Sequence, residues 1–203
     1  MSNEVKTKEK VDMDPKYITK LTVTLLVTCI IVAGLLGLVN GVTAGPIAQI
    51  NQQKTEQAMA EVVSDPSSFQ AVAELPQAAV DAATAAGGTL TELYDGQGAG
   101  YVLKVVASGS QGNIEMMVGV DASGAVTGVS VINHSETSGI GTKVVGNETN
   151  TAGVPVLDQF VGLSGAGSLV VGSNITAISG ATVSTKGITM GANAALAVAD
   201  VLG

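Results

Sequence analysis

Nineteen consecutive residues without a charge, Leu21–Val39 (LTVTLLVTCIIVAGLLGLV), stand out near the start of the chain. As a helix rising about 1.5 Å per residue they extend roughly 28 Å, enough to cross the hydrocarbon core of a bilayer. Gly41, Gly45 and Pro46 predict the end of that helix. Beyond them Ile47, Ile50, Ala58 and Val62 recur at helical spacing in a Gln-rich stretch, 47–63, that reads as a stalk. Asp65-Pro66-Ser67-Ser68 breaks it, and the Ala-rich residues 71–88 fit helix or strand equally until Gly87-Gly88 closes them.

A meander of strands is predicted next. Thr89–Tyr94 and Tyr101–Ala107 flank the turn Asp95-Gly96-Gln97-Gly98, and Ile114–Val120 and Val126–Asn133 flank Asp121-Ala122-Ser123-Gly124. The run Gly96-x-Gly98-x-Gly100 is a turn here, because a strand follows where a dinucleotide site requires a helix. Val154–Leu163 reads as a short helix and Ile175–Ile178 as a last strand. Over 183–202, Ile188, Gly191, Ala192, Ala195, Ala199 and Leu202 share one face of an amphipathic C-terminal helix. The expected class is α+β, with an antiparallel sheet and flanking helices. The expected organisation is a tail (1–20), a transmembrane helix (21–39), a stalk helix (40–70) and a folded domain (71–203).

Charge gives this plan an orientation. Residues 1–20 hold five Lys and four acids, whereas four Lys and thirteen acids follow residue 40. The positive-inside rule places the Lys-rich end in the cytoplasm and everything after Val39 outside it. Val42-Thr43-Ala44 resembles a signal-peptide cleavage site, but an apolar run of this length exceeds the usual h-region, so an uncleaved anchor is the expectation. Cys29 lies mid-span and reads as a packing residue.

Composition removes several functions. The chain has 203 residues and a net charge of −8, no Arg, and only five aromatic residues: Tyr17, Phe69, Tyr94, Tyr101 and Phe160. Nucleic-acid backbones want the opposite charge, and base stacking wants rings. One Cys and one His leave no disulfide framework, iron–sulfur ligand set or multi-histidine metal site.

Two segments are chemically dense. Asn133–Lys143 gathers the one His, an acid, several hydroxyls and two glycines at a strand exit. Its spacing fits a solvated turn, or a loop whose backbone N–H groups face an electron-rich ring, with Gly allowing close approach. Ile178–Gly187 is a hydroxyl-rich turn into the last helix. It fits an ordinary helix cap, or a seat for a phosphate at the helix start with Lys186 nearby. Thr182, Ser184 and Thr185 all offer an oxygen there, and helix geometry alone does not choose among them. No Walker-type loop is present.

Ser179-Gly180-Ala181-Thr182 resembles the flavinylation motif of the FMN-binding domain family found in membrane electron-transport complexes. His134-Ser135-Glu136-Thr137-Ser138-Gly139-Ile140-Gly141 resembles that family's His-x-Glu-Thr-Pro-Gly-Leu-Gly loop, in the same order along the chain. The resemblance implies FMN joined through its phosphate to Thr182 by a separate flavin transferase that uses FAD. It also implies cofactor contacts from Ser179, Gly180, Ala181 and Lys186, and from His134, Glu136, Thr137, Gly139 and Gly141 around the ring. The implied role is an electron relay with no catalytic acid or base and no metal, working among other membrane subunits. Length and acidic exported domain look most like the G subunits of Rnf-type ion-translocating ferredoxin:NAD oxidoreductases. The C subunit of the sodium-translocating NADH:quinone reductase, a stand-alone extracellular flavoprotein and a non-redox pilin-like surface protein are the alternatives. This chain departs from the pattern at Thr176, where Asp is frequent, at Ser138 for Pro and at Ile140 for Leu.

Overall fold

The structure, a computed structural model, describes residues 15–203 and divides into two compact units at Ile50/Asn51. The first is the apolar part of helix α1, Pro15–Val62. Its side chains are exposed throughout the span and mostly apolar, and it is long and apolar enough to cross a membrane. Thr19, Thr22, Thr24, Thr28 and Thr43 each donate their hydroxyl to the carbonyl four residues back, so no hydroxyl hydrogen is left for lipid to satisfy. The expected break at Gly41–Pro46 does not occur. Pro46 lies inside the helix, and the residue before it is Gly45, whose missing Cβ removes much of the clash that bars helical backbone before proline. Much of the expected tail, 1–14, lies outside the described residues.

From Asn51 onward the chain is α+β. The last turns of α1 end at Val62, short of the expected stalk boundary, and a 3₁₀ turn Pro66–Ser68 leads into β1, Gln70–Ala71. The ambiguous Ala-rich stretch contains α2, Gln77–Ala85. Strands β2 (Gly88–Asp95), β3 (Gly100–Ser108), β4 (Asn113–Asp121) and β5 (Val126–His134) extend the sheet in simple order, each antiparallel to its neighbour. In the β4–β5 turn, Asp121 Oδ1 accepts from the N–H groups of Ser123 (2.8 Å) and Ala125 (3.0 Å) and from the Ser123 hydroxyl (2.6 Å).

The last helix, Thr182–Leu202, numbered α4 because a short α3 precedes it, covers one face of this sheet together with α2. Its expected apolar stripe is inward, and so are Ala194, Leu196 and Val198, which makes α4 the centre of the main core with Leu103, Val105, Ile114, Met116 and Val118. The opposite face of the sheet carries a smaller cluster, Val102, Met117 and Ile132 under Ala58, Met59 and Val62. Gly119 and Gly128 allow this approach, since a Cβ there would lie 2.7 Å from Val62 O and 2.9 Å from Val62 Cα. On that face Lys104 pairs with Glu92 (2.9 Å) and Glu115 (3.1 Å), and Tyr94 donates its hydroxyl to Glu92 (2.6 Å).

Between β5 and α4 the chain is mostly irregular. It holds α3, Gly141–Val145, which no periodicity in the sequence suggests. The expected helix over 154–163 is only a 3₁₀ turn, Asp158–Phe160, and the expected strand at 175–178 is a single bridge between Ile175 and Val171. Side-chain amides supply what ladders do elsewhere. Asn147 Oδ1 accepts from Leu157 N (2.6 Å), Asn150 Oδ1 from Ala152 N (2.9 Å), and Gln159 bonds both the N–H and C=O of Thr176.

Candidate functional site

The chemistry-bearing loop and the start of α4 meet at one buried carboxylate. Glu136 is 7% exposed although its neighbours Ser135, Thr137 and Ser138 are open to solvent. Its Oε1 accepts from the N–H of Ser110 (2.7 Å) and, more weakly, Gln111 (3.4 Å) in the β3–β4 turn. Its Oε2 accepts from the Ser184 hydroxyl (2.5 Å) in the first turn of α4. Three segments remote in sequence are thereby tied to one side chain. Burying an anion is costly unless donors surround it, and here they do.

Two glycines make room for that carboxylate. A Cβ on Gly109 would collide with Oε1, and one on Gly141 with Oε2. Gly141 is therefore buried against Ser184 and Glu136. Gly139 sits in a left-handed turn (φ +76) with open space around it, and its N–H donates to Thr142 Oγ1 (2.8 Å). His134 is half-buried, and its Nδ1 accepts from the N–H of Glu136 (3.2 Å). Thr137 faces solvent.

At the helix start the three competing hydroxyls separate. Ser184 is buried and committed to Glu136. Thr185 is buried and donates to Ala181 O (3.0 Å). Thr182 is exposed, and among the described residues its hydroxyl has no partner. The N-cap, Ala181, provides no side-chain oxygen, and no acid lies in the first turn. The N–H groups of Thr182, Val183 and Ser184 accordingly have no acceptor among the described residues, the usual condition of an uncapped helix start. Ser179 and Gly180 are exposed, Gly180 in left-handed backbone (φ +82) with nothing within 4 Å of a Cβ. Lys186 is exposed one turn on. Two large apolar side chains also face solvent here, Val183 (56%) and Ile140 (49%).

This donor set fits a phosphate group carried by a flat ring. The unpaired N–H groups and Lys186 suit phosphate oxygens, Thr182 presents an exposed hydroxyl beside them, and Ile140 and Val183 offer apolar surface. Glu136 is placed differently from the other loop residues: its carboxylate faces inward, with its bonds made inside the protein. No sequence signal points to Ser110 and Gln111, because nothing in a Ser-Gln turn announces which distant side chain its N–H groups will meet. The frequent Asp of the motif is here Thr176, whose backbone is held by Gln159 and by Asn150 (3.3 Å).

The FMN-binding domain family matches residues 109–197, a span that includes both the loop and the helix start. Along nearly its whole length the chain is also similar to the G subunit of the Na(+)-translocating ferredoxin:NAD(+) oxidoreductase complex of Acetobacterium woodii, 34% identical over 96% of this chain and 97% of the relative. The chain belongs to the FMN-binding G-subunit family. The G subunit of the ion-translocating oxidoreductase complex of Methanosarcina acetivorans is 30% identical over 86% of this chain and 90% of that protein. A proton-translocating member from Clostridium ljungdahlii is 28% identical over 91% and 93%. Family membership together with the apolar helix places the chain at a membrane.

Proposed function

We propose that this chain is the membrane-anchored electron-transfer subunit of an ion-translocating ferredoxin:NAD⁺ oxidoreductase complex, carrying FMN esterified through its phosphate to Thr182. The observation that carries this reading is the sorting of hydroxyls at the start of α4. Of the three hydroxyls Thr182, Ser184 and Thr185, Thr182 alone is exposed and free of internal bonds among the described residues, while Ser184 and Thr185 are buried and engaged. A flavin transferase that moves the FMN moiety of FAD onto the Thr182 oxygen would break the pyrophosphate P–O bond of FAD, form one phosphoester and release AMP, with the threonine proton passing to the medium or to the departing phosphate.

In this reading the N–H groups of Thr182, Val183 and Ser184 and the Lys186 ammonium hold the phosphate oxygens. Ser179, Gly180 and Ala181 keep the approach to Thr182 uncrowded. Gly139, Ile140 and Thr137 of the loop border the ring, and His134 holds the backbone of Glu136 so that the loop keeps its shape. Glu136 and Gly141 fix the loop to the helix from beneath. Bound there, the flavin supplies reversible electron transfer at a fixed point, and the chain contributes position and field. The domain after Val39 lies on the extracytoplasmic side, in agreement with the lysine distribution. A covalent tether suits that location, since no cytoplasmic FMN pool can replace a lost cofactor.

The test is the mass and in-gel fluorescence of the chain coproduced with a flavin transferase. Wild type carries the FMN increment. Thr182→Ala lacks it, while Ser184→Ala and Thr185→Ala keep it. Full labelling of Thr182→Ala would move the attachment to another hydroxyl, and an unlabelled wild type would remove the flavin reading.

A further inference from the structure

The outer edge of β5 ends the sheet beside a groove that the flavin chemistry does not use. Antiparallel ladders alternate, so each residue turns its backbone groups to one neighbour only. In the β3–β4 hairpin Gly109 N donates to Gly112 O (2.7 Å), which makes this a bonded pair. Counting by two along β4, Ile114, Met116 and Val118 turn toward β3. Met117 and Gly119 therefore turn toward β5, where they face Ser130 and Gly128. Val129 and Val131 then direct their N–H and C=O groups away from the sheet. Val126 also turns its backbone outward, because the bulge that sets Val126 rather than Thr127 opposite Val120 shifts the alternation by one residue: its N–H donates to Leu163 O (2.9 Å) and its C=O accepts from Gly162 N (2.8 Å). Past that point, among the described residues, no backbone group reaches Val129 or Val131 from outside the sheet.

The space beside these groups is a groove of about 560 Å³ running along Thr127–Val131. Its far wall is Val145, Asn147, Leu157, Asp158 and Val161, and Glu61 closes one side. Glu61 and Asp158 each use one carboxylate oxygen, on Ser130 (2.6 Å) and Asn147 (2.8 Å), and keep the other free. No lysine lines the groove. An open strand edge bordered by two carboxylates fits an extended, cationic segment that adds a strand.

We infer that this groove is where a neighbouring subunit of the complex docks, through a short extended segment bearing Lys or Arg that pairs with Val129 and Val131. The inference rests on the chain being part of a membrane complex, as proposed above, but does not depend on the flavin.

Deuterium uptake of peptides covering 127–132 tests it, on the full chain in its detergent-solubilised complex and on the full chain alone. Slower uptake in the complex supports the docking, and equal uptake in both overturns it. Substitution gives a second reading. Val129→Pro and Val131→Pro remove N–H groups the sheet does not use, so the chain should still fold while recovery of the other subunits falls about tenfold, as expected for two lost interface bonds. Ser130→Pro, which removes an inward N–H, should instead disrupt the fold. Undiminished assembly of folded Val129→Pro and Val131→Pro overturns the docking. A dimer of the lone chain with the same peptides protected would put a second copy in the groove and overturn the assignment to another subunit. Isolation of wild type with no other subunit would defeat both this inference and the complex itself, whatever its flavin content.

Discussion

Removing the Glu136 side chain tests how the site is held together. Glu136→Ala strips the acceptor from Ser110 N and from the Ser184 hydroxyl, and from the weaker Gln111 contact. A hydrogen bond to a charged group contributes about 1.5–3 kcal/mol, so the two short bonds together account for about 3–6 kcal/mol. That is a large share of the roughly 5–15 kcal/mol that stabilises a typical domain. Ser184→Ala removes one donor only and should cost about 1.5–3 kcal/mol. In the double variant the shared bond is not lost twice, so the combined cost should fall below the sum by about that amount. Urea unfolding of the full chain in detergent, followed by tyrosine emission, reports on the sheet through Tyr94 and Tyr101. A Glu136→Ala variant within about 1 kcal/mol of wild type, or strict additivity with Ser184→Ala, would refute the view that this carboxylate ties the loop, the β3–β4 turn and α4 together.

Three further outcomes are expected. Hydrogen bonds from Ser123 and Ala125 hold the Asp121 carboxyl below its ordinary value, so its contribution to stability is present above the unfolded carboxylate pKa and is lost as pH falls through the lowered one. The melting-temperature gap between wild type and Asp121→Asn should therefore close on acidification, and a gap that widens would contradict the turn's role. Gly187→Ala places a Cβ 2.6 Å from Ser108 O, and this backbone contact should destabilise the chain by about 1–3 kcal/mol in the same urea assay. A reporter active only outside the cytoplasm should work when fused after Gly203 and fail when fused after Lys16; the reverse pattern would invert the proposed orientation.

Local signals are the legible ones in this chain. Alternation and Asp-Gly-type turns place β2 to β5 within a residue or two, and the stripe from Ile188 to Leu202 places α4, because these patterns are set by neighbours along the chain. Pro46 misleads because its usual effect depends on the residue before it, and Gly45 changes that effect. The stretch 154–178 misleads for another reason: its apolar residues are buried without periodic backbone, held by Asn147, Asn150 and Gln159, each of which reaches a partner 10 to 26 residues away. The motif at 179–182 is readable as a string, and so are its three rival hydroxyls. What separates them is burial set by Glu136, a contact spanning 48 positions that no local pattern encodes.

The cations of the acidic domain have a kinetic consequence. After residue 50 the chain holds four lysines and thirteen acids, and among the described residues Lys104 is the one of those four locked in ion pairs. The surrounding field therefore repels freely diffusing anions, dinucleotides and acidic carriers alike, and encounter rates with them rise as salt screens it. A small anionic reductant such as dithionite should reduce the bound flavin faster at high ionic strength than at low, and a cationic viologen should show the opposite trend. Electrons that arrive from a neighbour already docked in the complex cross no such barrier, so the same charge that turns away soluble carriers leaves the path through the assembly as the fast one.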